Sequence, residues 1–114
     1  MKFAFLFSIL FLAQLGFSGF STVDGGTMTT KFKVGGNCNM CKKRIETAAK
    51  IDGVISAEWS KETHILTVTF DEKVVKPRQI HQAIVAVGHD TELLRADDKV
   101  YDQLHECCHY DRLH

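Results

Sequence analysis

The sequence predicts an α+β domain, a ferredoxin-like βαββαβ sandwich. In it a four-stranded antiparallel sheet carries two helices on one face, and a short C-terminal helical tail follows. Three observations predict it. Apolar residues alternate through Met28–Val34 and again through His64–Phe70, the period of half-buried strands. Two other stretches space their apolar residues as helices do, Ile45, Ala48, Ala49 and Ile80, Ala83, Ile84, Val87. Breakers separate these runs, namely Gly35-Gly36-Asn37, Asp52-Gly53, Lys61-Glu62-Thr63 and Gly88.

Taken in order, the first strand has Met28, Thr30, Phe32 and Val34 on one face. A helix from about Cys41 to Lys50 follows the glycine break and stops at Asp52-Gly53. Val54–Ser60 and His64–Phe70 form a hairpin across the polar turn 61–63, with Leu66, Val68 and Phe70 sharing a face. Pro77 opens the second helix, where its missing N–H costs nothing, and Gly88 closes it. Thr91–Arg95 is the expected fourth strand. The domain occupies residues 28–96, a core of about 70 residues, the size at which stability is usually marginal.

Residues 1–21 read as a targeting signal. Lys2 is the basic start, Phe3–Ala13 an apolar run broken by Ser8, and Gly16–Ser21 a small-residue region with cleavage positions after Ser18 or Ser21. The run is shorter than the ~20 apolar residues of a membrane span, so an uncleaved anchor is the alternative reading. Export is therefore expected, with the periplasm as the compartment and no stable membrane association after cleavage. Residues 22–27 are expected to be a short flexible arm. Lys+Arg and Asp+Glu both number 14, which gives no case for nucleic-acid binding. The charge is nonetheless polarised. Lys31, Lys33, Lys42, Lys43, Arg44 and Lys50 lie early, and Asp97, Asp98, Asp102, Glu106 and Asp111 lie late.

The chemistry concentrates at Gly35-Gly36-Asn37-Cys38-Asn39-Met40-Cys41. Two thiols two residues apart, on a loop entering a helix, can both point at one ion. The helix N-terminus and the neighbouring Lys42, Lys43 and Arg44 favour thiolate over thiol. Paired thiolates select soft metals over Mg or Ca. Alternatives are a structural disulfide, a thiol–disulfide redox site, and a four-thiolate zinc site. The last needs the second Cys pair nearby, which the expected path of the tail disfavours.

Residues 28–95 resemble the heavy-metal-associated domain family, which includes copper chaperones, metal-binding modules of P-type ATPases and periplasmic mercury-binding proteins. The resemblance rests on the element order, Gly35, Cys38 and Cys41, Ile45, Asp52-Gly53-Val54, Leu66–Asp71 and Ala86-Val87-Gly88. It implies a binding and transfer protein rather than an enzyme, with Cys38 and Cys41 as ligands. The cargo would be Cu(I), or else Hg(II), Zn(II) or Cd(II). The implied partner is a metal-transporting ATPase or efflux system, or another metal-binding domain. A metal buffer or sensor without a delivery partner is a further alternative. Two departures stand out: Gly36-Asn37 replaces the family's usual Met-Thr, and His89 replaces an aromatic residue after Gly88.

In this topology His89 is expected to face Cys38 and Cys41 as a third ligand or a hydrogen-bonding neighbour, with a surface loop histidine as the alternative. His64 and His81 are expected to be exposed bystanders. The tail, residues 97–114, lies outside the resemblance. Asp97 or Asp98 can cap a short helix in which His105, Cys108 and His109 share a face, with Cys107 adjacent. This Cys/His cluster is a candidate second metal site. A fourth strand running away from Cys38 would start the tail on the far side, so a separate site is expected.

Overall fold

In a computed structural model, which describes residues 26–114, Thr27–Lys33 forms β1, Asn39–Ala49 α1, Val54–Trp59 β2, Ile65–Asp71 β3 and Pro77–Val85 α2. A one-turn helix α3, Asp98–Asp102, and a 3-10 turn, Glu106–Cys108, follow. The expected signal segment and the first four residues of the arm lie outside the described residues. Among the described residues no helix is long and apolar enough to cross a membrane.

The sheet is antiparallel with strand order β1-β3-β2, and Phe32 lies opposite Leu66. The alternation read in the sequence is the burial seen: Leu66, Val68 and Phe70 point inward from β3. Phe32, Val34 and Trp59 complete the inner face, against Ile45 and Ala49 of α1 and Ile80 and Ile84 of α2. Each fully buried large side chain contributes about 1.5–3 kcal/mol. Met28, by contrast, is exposed at the start of β1.

One junction fixes the head of α1. The Glu46 carboxylate accepts the Trp59 backbone N–H at 2.8 Å and the Lys42 ammonium at 2.7 Å. The Trp59 indole N–H donates to the Val34 carbonyl at 3.0 Å. The end of β1, the first turn of α1 and the end of β2 are thereby tied together.

The expected fourth strand does not form, and among the described residues the sheet has three strands. Thr91 makes one antiparallel bridge with Val34, and the chain then turns. The Thr91 N–H donates to the Leu94 carbonyl at 2.9 Å, and Thr91 Oγ1 accepts the Leu93 and Leu94 N–H groups at 3.2 and 3.0 Å. A threonine hydroxyl bonding nearby backbone is the known competitor of a ladder. His81 takes part and is buried, not exposed as expected. Its ring stacks on Phe32 with centroids 3.8 Å apart, and its Nδ1 lies 2.6 Å from Thr91 Oγ1. With its lone pairs taken by two amides, the hydroxyl donates to His81, whose ring is neutral. His64 is also less exposed than expected: it is half-buried, stacked on Trp59 with centroids 5.3 Å apart.

The absence of that strand decides where the tail goes. The turn at Thr91–Leu94 keeps the chain near the Cys38 end, and α3 stops at Asp102. The expected helical face of His105, Cys108 and His109 is therefore broken before it begins. Instead the tail doubles back on four contacts. The Tyr110 hydroxyl donates to the Gly88 carbonyl and accepts the Asp90 N–H, both at 2.7 Å. Arg112 grips the Asp90 carboxylate, and the Tyr101 hydroxyl donates to the Tyr110 carbonyl at 2.7 Å.

Candidate metal centre

β1 leads the chain through Val34 into two glycines that large rings press upon. A Cβ on Gly35 would fall inside van der Waals contact with the Tyr110 ring, and one on Gly36 would lie 3.0 Å from the Trp59 ring. The backbone then takes an extended conformation at Cys38, the N-cap of α1, which starts two residues earlier than the sequence suggested. Cys41 lies one turn into the helix. Cys38 is half-buried and Cys41 fully buried, with their sulfurs 3.3 Å apart.

The tail brings the other two thiols to this pair. Cys38 Sγ lies 3.0 Å from Cys107 Sγ and 3.4 Å from Cys108 Sγ. The sulfurs of Cys38, Cys41 and Cys108 all lie within 4.8 Å of one another. Cys108 is buried and Cys107 exposed on the rim. The tail thiols are therefore not on the far side as expected, but stand against Cys38. His105 and His109 are exposed and lie outside this sulfur group, and the His109 ring stacks on Tyr101.

Electrostatics make the four thiols unequal. Burial opposes ionisation of Cys38, but hydrogen bonds from the Cys107 thiol, the Cys41 backbone N–H and the Cys41 and Cys108 thiols outweigh it. Its pKa falls to about 6. Burial, and then its bond with the Cys108 thiol, push Cys41 up to about 12. Cys107 is raised because it donates its proton to Cys38, and Cys108 is raised chiefly by burial. At neutral pH the metal-free cluster is one thiolate supported by three thiols.

His89 does not join the sulfurs. It is buried, with Nδ1 2.7 Å from the Gly35 carbonyl oxygen, so Nδ1 carries the proton. Nε2 faces Arg44 Nη1 at 3.4 Å, and the same Nη1 donates to Cys108 Sγ at 3.3 Å. Arg44 therefore stands between the imidazole and the thiols. Burial, foremost, holds the His89 pKa down to about 4.

Residues 31–90 match the sequence profile of the heavy-metal-associated domain. The chain belongs to the heavy-metal-associated domain family. It is 36% identical to the copper chaperone CopZ of Staphylococcus haemolyticus (strain JCSC1435) over 59 residues, 51% of this chain and 87% of that one. Among solved structures it is similar to a CopZ metallochaperone, at 33% identity and a TM-score of 0.54, covering 56% of this chain and 98% of that one. Oxidized MerP from Ralstonia metallidurans CH34 is similar at 27% identity and a TM-score of 0.54, covering 57% and 93%. Cys38 and Cys41 fall inside the heavy-metal-associated match, whereas Cys107 and Cys108 lie beyond residue 90.

Sequence reasoning found all four cysteines but not their convergence. Nor did it find Asp90, Tyr110 and Arg112, which fix the tail. One signal was present: the departure at Gly36-Asn37 creates a glycine doublet, and Gly35 is where the Tyr110 ring rests.

Proposed function

We propose that this heavy-metal-associated domain protein is a metallochaperone-type carrier. It holds Cu(I), or a similar thiophilic ion such as Hg(II), Zn(II) or Cd(II), on Cys38 and Cys41. It is exported by the segment 1–21 and acts in the periplasm. The ion passes by ligand exchange to a metal-transporting ATPase, an efflux system or another metal-binding domain. It performs no catalysis. The observation that carries the reading is the pair itself: sulfurs 3.3 Å apart at the head of α1, one of them ionised near neutral pH. A soft cation replaces the thiol protons there, and the half-exposed side of Cys38 admits an incoming thiolate. The similarity to a copper chaperone over 87% of its length favours copper among the soft metals.

The test is anaerobic Cu(I) titration of the reduced protein against Cys38→Ser and Cys41→Ser. Each variant should lose tight binding while keeping its circular dichroism. Near-wild-type affinity in a folded Cys38→Ser/Cys41→Ser protein would end the assignment. Competition among Cu(I), Hg(II) and Zn(II) then ranks the cargo, and periplasmic fractionation checks export. A second reading, thiol–disulfide exchange, is favoured by the low pKa of Cys38 beside the exposed thiol of Cys107 at 3.0 Å. It requires the metal-free protein to turn over a disulfide substrate.

A further inference from the structure

We propose that the C-terminal tail adds Cys108 to the Cys38–Cys41 pair as a third thiolate ligand for the same ion, and that Cys107 is the rim thiol through which the ion enters and leaves. This rests on the proposed role of Cys38 and Cys41 and says what completes their site.

Geometry carries it. A metal–sulfur bond of about 2.3 Å sets sulfurs about 4.6 Å apart in a linear pair but about 4 Å apart in a triangle. Cys38 and Cys41 stand at 3.3 Å and Cys38 and Cys108 at 3.4 Å, with all three sulfurs inside 4.8 Å. A triangle thus needs less opening than a linear pair. Cys107 lies 3.0 Å from Cys38 and 3.9 Å from Cys108, but it stands outside the group that includes Cys41 and is exposed where Cys108 is buried.

The tail is held where the third ligand requires it. Tyr110, two residues after Cys108, is pinned by Gly88 and Asp90 and lies over the bare Cα of Gly35. Arg112 bonds the buried Asp90 carboxylate through Nε at 2.8 Å and Nη2 at 2.9 Å. Arg44 donates to Cys108 Sγ, and its positive charge offsets part of the negative charge that a third thiolate brings. Binding is a substitution without redox change. As each metal–sulfur bond forms, any proton still on that sulfur passes to solvent, and on transfer an incoming thiolate replaces one protein sulfur at a time.

The experiment uses Cu(I) as the probe on the reduced protein, with X-ray absorption for sulfur coordination and chelator competition for affinity. Wild type should show three Cu–S bonds, and Cys108→Ser should fall to two with affinity lower by at least about tenfold. Cys107→Ser should keep three bonds and near-wild-type affinity but hand Cu(I) to an external dithiol more slowly. Two Cu–S bonds in wild type would overturn the proposal even if Cys108→Ser fails to fold. So would a folded Cys108→Ser protein with unchanged affinity, and equal transfer rates would remove the role of Cys107. These results leave the Cys38–Cys41 assignment standing, which only the folded Cys38→Ser/Cys41→Ser protein retaining Cu(I) would break.

Discussion

Arg112 closes on Asp90 with two nitrogens, Nε at 2.8 Å and Nη2 at 2.9 Å, around a carboxylate that is fully buried. The Ala96 and Leu113 N–H groups complete its coordination at 2.7 and 3.1 Å. The Asp90 pKa is held low because these donors, led by Arg112, outweigh burial. Arg112→Ala leaves a buried carboxylate with backbone partners only. The expected loss is about 3 kcal/mol, the low end for breaking a buried pair. Urea unfolding measures it, and Arg112→Lys, which cannot form the fork, should recover only part.

Gly35→Ala should act on the tail rather than on the sheet. The added Cβ meets the Tyr110 ring, so the ring must move and carry Cys108 outward. A stability loss of about 1–3 kcal/mol is expected from such overpacking. Alkylation of Cys108 by iodoacetamide should quicken. Unchanged protection of Cys108 would show that the ring moves without the tail.

The thiols should label in an order that exposure alone does not give. Cys107 is the most exposed, but it keeps its proton while donating it in a hydrogen bond to Cys38, whose own pKa is about 6. At pH 7 Cys38 is ~90% thiolate, and the thiolate is the nucleophile. Brief alkylation of the metal-free protein at pH 7 should therefore mark Cys38 before Cys107, with Cys41 last. The Cys38 rate should fall as pH drops through about 6. Peptide mass spectrometry reads the order, and Cys107 labelled first would contradict it.

Acid should weaken the metal-free fold through a buried histidine. Buried His89 has a pKa of about 4, against about 6.5 in an unfolded chain. Below about 6.5 the unfolded state takes up a proton that the folded state refuses. Stability is thus complete above that value and falls as pH drops toward 4, by on the order of 3 kcal/mol. His81, lowered chiefly by burial, adds in the same direction. Urea midpoints across this range should slope down in wild type and more gently in His89→Phe. Parallel slopes would place the effect elsewhere.

The strands and helices were legible because burial repeats at their own periods. Leu66, Val68 and Phe70 alternate, and Ile80 and Ile84 stand one helical turn apart. His81 was misread because its polarity hid its position beside Ile80 on the buried side of α2. The fourth strand failed because Thr91 satisfies nearby amides with its own hydroxyl, which no alternation pattern reveals. The spacing of Cys38 and Cys41 marked them as a thiol pair at a helix start, and it is the family resemblance that implies they are ligands. That Cys107 and Cys108 meet them was not legible, because it depends on a chain reversal set by Asp90, Tyr110 and Arg112 together.

Cys38 and Cys108 are 70 residues apart along the chain yet in contact. An ion bonded to both would close nearly the whole domain into a ring, as a disulfide does. Forbidding the open chain its wider conformations is worth about 4 kcal/mol for a loop of that length. The cargo would then be a clasp, and a carrier that gives it up would be left with its last residues freer to fray. Loaded and empty molecules would differ in the looseness of one end of the chain, a difference that proteases and hydrogen exchange register directly.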